Sequence, residues 1–84
     1  MRVVDEELVE ALSKSVAERM LHASEMQPAY FHGAFCVLGV LCRHDGARGV
    51  VRKHVNPDAL TLFGEALPSF AFDAQRLADL VGSA

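Results

Sequence analysis

Nine consecutive apolar residues, Ala34-Phe35-Cys36-Val37-Leu38-Gly39-Val40-Leu41-Cys42, run through the middle of a chain of 84. A chain this short has one core, and this run belongs to it. It falls well short of the roughly 20 apolar residues that cross a bilayer. Extending it back to Pro28 gains little, because His32 interrupts it. The opening residues, Met1 to Glu7, turn acidic at once and carry no apolar signal stretch, so a cytoplasmic protein without a membrane span is expected.

The run admits two secondary structures. As a helix over Ala29 to His44, it gathers Ala29, Gly33, Cys36 and Val40 within about 60° of one another. That narrow stripe of small residues would let another helix approach closely. Phe31, Phe35, Leu38 and Leu41 fill the opposite side. As a hairpin, Phe35 to Arg43 would pair with Gly49 to Val55 around Asp45-Gly46, a dipeptide suited to hairpin turns. A two-stranded sheet on a small domain buries one face and alternates, and this run does not alternate. The helix is therefore preferred.

Asp5 to Met26 predicts a long amphipathic helix of about 33 Å. Leu8, Leu12, Val16 and Met20 step by four along it, and Val9 and Ala23 broaden the stripe. Asp5 suits the N-cap, Glu6 and Glu7 suit the positive end of the helix dipole, and Glu10 and Lys14 are favourably spaced. Pro28 marks a boundary. Ala47 to His54 is either a short helix or the return strand of the hairpin. Asn56-Pro57 starts a helix that runs to about Leu67, with Leu60, Phe63 and Leu67 inward. Pro68-Ser69 ends it. Asp73 is expected to cap a last helix to about Val81, with Leu77, Leu80 and Val81 inward and Gly82 stopping it. Residues 1–84 thus form a single domain, an all-α bundle of four to five helices whose long first helix packs across the central one. The alternative is α+β with a central β-hairpin. An apolar fraction of 51% lies well above the disordered range. Small apolar-rich chains often complete their core by self-association, so a homodimer is expected.

No arrangement points to catalysis. No serine sits in a Gly-x-Ser-x-Gly elbow, and Ser13, Ser15 and Ser24 read as surface residues of the first helix. Cys36 and Cys42 would lie about 9 Å apart along a helix and about 20 Å apart along a strand. Either exceeds the roughly 7 Å that a disulfide spans, so two core thiols in a reducing compartment are expected. His32 and Cys36 share a helix face, the spacing of a two-ligand metal pair, but Cys42 points about 120° away on the same helix. A hydrogen-bonded His32 at the core edge is the preferred reading, and no metal or cofactor is expected. Asp45-Gly46-Ala47-Arg48-Gly49 lacks the Lys-Ser/Thr of a phosphate loop and reads as a turn.

Charge is unevenly spread. Residues 43–54 carry a net +3 inside a chain of net −3, so the remainder carries −6. The acidic first helix offers Glu7, Glu10, Glu18 and Glu25, and the basic segment offers Arg48, Arg52 and Lys53. Two charged surfaces without catalytic chemistry predict a non-enzymatic protein-binding module: a small regulator, adaptor or inhibitor that docks on a larger protein, with charge steering encounter and apolar anchors holding it. Glu7, Glu10, Glu18, Arg48, Arg52 and Lys53 are the candidate partner-binding residues. Two alternatives stand beside this reading. One is a nucleic-acid-binding regulator using residues 43–54, although the helix after Pro57 has no Arg, Lys, Asn or Gln to read bases. The other is a metal or thiol sensor using His32 and Cys36.

Overall fold

Asp5 opens the first helix as expected: its Oδ1 accepts from the Glu7 backbone N–H at 2.9 Å. In the computed structural model, residues 5–23, 28–44 and 46–82 are described, and they form five helices and no strand. Helix α1 spans Glu6–Met20, α2 Pro28–Leu41, α3 Ala47–His54, α4 Pro57–Ala66 and α5 Ala71–Gly82, with a 3-10 turn over Pro68–Phe70 before α5. The all-α bundle is the fold, and the hairpin alternative is not. The Asp-Gly that suggested a hairpin instead contributes Gly46 to the N-cap of α3, at φ 84°, a left-handed position that glycine takes without Cβ strain. Asp45 lies outside the described residues.

Several expectations need correction. Helix α1 ends at Met20, not Met26, which makes it about 22 Å long. Its buried stripe is Val9, Ser13 and Val16, flanked by half-buried Leu12 and Met20, while Leu8 is 67% exposed. Because a helix turns in 3.6 residues, each step of four advances about 40°, so the series starts off the inner face at Leu8 and reaches it at Val16. Ser13 is therefore a core residue rather than a surface one, and its Oγ has no hydrogen-bond partner among the described residues. Ser15 is exposed as expected, and Ser24 and Glu25 lie outside the described residues. Helix α1 packs chiefly on α3, not across α2. The last helix starts at Ala71, so Asp73 lies inside its first turn and does not cap it.

Elsewhere the punctuation acts as read. Asn56 Oδ1 caps α4 by accepting from Ala59 N–H at 2.8 Å, with Pro57 in the first turn. Helices α4 and α5 form the tightest pair. Gly64 permits this, since a Cβ there would stand 3.2 Å from the Ala71 Cα. At the centre, Phe31, Phe63 and Phe70 hold their ring centroids 5.1 to 5.6 Å apart, and Phe35 adds an edge-on contact to Phe63 at 5.6 Å. These offset and edge geometries suit the ring quadrupoles. Leu38, Leu60, Leu77 and Val81 complete the core, while Leu41, Leu67 and Leu80 sit half-buried at its margin.

Candidate partner-binding surface

Helix α2 is apolar on both sides, with His32 its one residue that carries a titratable imidazole. Its inner face supplies Phe31, Phe35 and Leu38 to the core. The stripe of small residues turns the other way: Ala29, Gly33 and Val40 are exposed and Cys36 is half-buried. Val37 and Val40 are 49% and 56% exposed, and Tyr30 widens the face at its N-terminal end, where the Arg19 guanidinium lies 4.9 Å from the ring centroid. A Cβ on Gly33 would meet nothing within 4 Å, so the face is open at that position. Apolar faces of this kind on a folded surface mark contacts with other molecules.

Beside the stripe, a groove runs between α2 and α5. Phe35, Gly39, Leu77 and Leu80 floor it, with Cys36 and Val40 along one edge. Gly39 brings α5 close, because a Cβ there would stand 3.1 Å from the Leu80 Cδ1. Three charged residues line the groove: Arg43, Asp73 and Arg76. The Asp73 carboxylate accepts from His32 Nδ1 at 2.9 Å, a contact that ties α2 to α5. His32 is thus hydrogen-bonded, as the preferred reading had it, but its side chain is 66% exposed rather than sunk at the core edge.

The charged residues singled out in the sequence lie elsewhere. Glu10 accepts from His54 Nε2 at 3.3 Å and from Lys53 Nζ at 3.5 Å, joining α1 to α3. The His54 hydrogen bond, followed by the Lys53 charge, holds the Glu10 carboxyl below its ordinary value of 4.5. Arg52 Nε donates to the Val81 carbonyl at 3.0 Å, and its Nη2 reaches the same oxygen at 2.5 Å. That bond satisfies a carbonyl at the C-terminal end of α5, where a cation suits the helix dipole. Arg48 is half-buried, whereas Glu7 and Glu18 are exposed on α1. The structure therefore brings Glu10 and Lys53 together, with Glu7 lining the same acidic hollow as Glu10 at the start of α1 and Glu18 exposed further along that helix.

Both cysteines are free thiols. Burial pushes the Cys42 thiol up, opposed in part by the nearby Arg48 and Arg52 charges. Among the described residues, no group of three or more His, Cys, Asp or Glu could hold a metal ion. No helix among them is long and apolar enough to cross a membrane. The residues missed in the sequence are Tyr30, Val37 and Arg76. An apolar run on both sides of one helix was the signal for the first two. Arg76 had none, since its role depends on which helix α5 packs against. No protein-family model, no curated protein and no solved structure matches this chain.

Proposed function

We propose that this protein is a non-enzymatic protein-binding module, a small regulator, adaptor or inhibitor that docks on a larger protein through the outer face of α2. One observation carries the reading: apart from His32, α2 carries apolar residues on both its inner and its outer side, and the side bearing Gly33, Val37 and Val40 faces solvent. Helices with apolar residues on every side normally lie buried. Exposed Glu7 and Glu18 suit steering of encounter, while the α2 face suits anchoring. The two free thiols fit the reducing cytoplasm.

Binding of nucleic acid by residues 43–54 has less support. Arg52 is engaged by the Val81 carbonyl and Lys53 by Glu10. A metal sensor has less still, because among the described residues no group of three or more His, Cys, Asp or Glu could hold an ion around His32 and Cys36; a thiol sensor rests on Cys36 alone, since burial pushes the Cys42 thiol up. The test is affinity capture from nuclease-treated lysate of the source organism, with wild type and Val40→Glu side by side. A stoichiometric protein retained by wild type and lost with folded Val40→Glu is the expected result. Equal retention by both removes the α2 face from the account.

A further inference from the structure

We propose that the outer face of α2 takes an acidic amphipathic helix of the partner protein. The inference rests on the docking reading above and names the chemistry of the occupant. Charge is the first argument. Helix α2 carries no acidic residue, and three guanidiniums stand around its exposed face. Arg19 lies 4.9 Å from the Tyr30 ring centroid at the N-terminal end. Arg43 and Arg76, both exposed, line the groove beside Val40. Among the described residues, neither of these two makes an ion pair. Two carboxylates on α5 are engaged already. His32 Nδ1 holds Asp73 at 2.9 Å, with 17% of the Asp73 side chain exposed, and Gln75 Nε2 donates to Asp79 at 3.0 Å. The face is thus locally positive on a chain of net −3.

Shape selects a helix. Gly33, Val37 and Val40 fall at i, i+4 and i+7, one stripe of α2. Nothing stands within 4 Å of where a Gly33 Cβ would be, so a ridge of side chains from another helix can settle there. The groove between α2 and α5 has room for about one water, so the contact lies on the raised face and not in the groove. The complement is a helix with an apolar stripe and Glu or Asp on its flanks, set to meet Arg19 at one end and Arg43 and Arg76 at the other. A second copy of this chain is a poorer occupant, because pairing two such faces brings like charges together. An anionic membrane is poorer as well, since Val and Gly stand where interfacial helices carry Trp, Phe and Leu.

Two synthetic helices of about 20 residues test the proposal. They share one stripe of Leu and Ala and differ only at the flanks, Glu in one and Lys in the other. Amide shifts in NMR spectra of the whole chain, titrated with each peptide, give the site and the affinity. The Glu peptide is expected to shift α2 from Gly33 to Val40 and to bind about tenfold or more tightly than the Lys peptide. Added salt is expected to narrow that gap. Arg43→Glu with Arg76→Glu, both at exposed positions, is expected to invert the preference, and circular dichroism checks that this variant keeps its helices.

The proposal is overturned if the two peptides bind alike, if neither binds up to about 1 mM, or if the shifts lie outside α2 and the facing turns of α5. Shifts in α2 that grow with protein concentration alone overturn it in favour of a second copy. Shifts with phosphatidylglycerol vesicles but not with the Glu peptide overturn it in favour of a lipid surface. If the peptides fail while capture of a foreign protein still depends on Val40, this inference falls and the docking reading stands. Equal capture by wild type and folded Val40→Glu removes the docking reading, and this inference with it.

Discussion

Ser13 on α1 is wholly buried, and its hydroxyl has no hydrogen-bond partner among the described residues, so it lowers the stability of the fold it helps to build. An uncompensated hydroxyl in a core costs on the order of 1–3 kcal/mol. Ser13→Ala is therefore expected to raise the denaturation midpoint in urea at constant slope, by about 1 kcal/mol of stability. The glycines divide in the same physical way. Gly49 lies exposed in α3 with open space where a Cβ would stand, so Gly49→Ala should gain about 0.5–1 kcal/mol from reduced chain entropy. Gly64→Ala should gain nothing, because its Cβ would press on the Ala71 backbone at 3.2 Å. Thermal melts of the two variants read the contrast directly. Such distinctions were not legible in the sequence. Ser13 looked like a surface serine because the stripe was counted from Leu8, and one residue of drift exchanged their places.

At the scale of elements, polar side-chain contacts tie particular helices together. Arg52 on α3 caps α5 through Val81, and Glu10 on α1 meets His54 and Lys53 on α3. Arg52→Ala should cost about 1–2 kcal/mol, since a charge-assisted bond to a helix-end carbonyl is lost. Amide exchange in the last turn of α5 should quicken with it. Glu10 gives a pH signature. Its folded-state value is lowered, so its contribution is present above the ordinary carboxylate value of 4.5 and disappears as pH falls through the folded value. Equilibrium unfolding followed from pH 7 into acid should show a shallower loss in Glu10→Gln than in wild type. The element boundaries were largely readable. Asn56-Pro57 started α4 and Asp5 capped α1, because caps and proline act within one turn. Which helix lies on which was not. The pairing of α1 with α3, and of His32 with Asp73 across 41 residues, is decided by tertiary packing. The Asp-Gly hairpin signal yielded for the same reason: a left-handed Gly46 serves a helix start as readily as a strand turn.

For the whole molecule, size and surface explain each other. The radius of gyration is 11.9 Å, close to the roughly 12 Å that compact chains of this length adopt, and the α2 face stays exposed on a chain of that compactness. The core takes Phe31, Phe35, Phe63 and Phe70, while Phe72 is exposed, and of α2 it leaves Ala29, Gly33 and Val40 outside. The apolar run was legible as the centre of the fold, and its stripe of small residues was legible as a place for close approach. What could not be read was that the stripe faces away from the domain, because periodicity fixes which residues share a face and not which face a neighbour covers. The central claim is that this outer face, Gly33, Val37 and Val40 with the groove beside it, is where the protein meets its partner. The most direct measurement is hydrogen–deuterium exchange of the isolated protein against the protein in complex with its captured partner. The account predicts slowed exchange concentrated in α2 and the adjoining turns of α5. Protection confined to α3 and the C-terminal half of α1, with α2 unchanged, would contradict it.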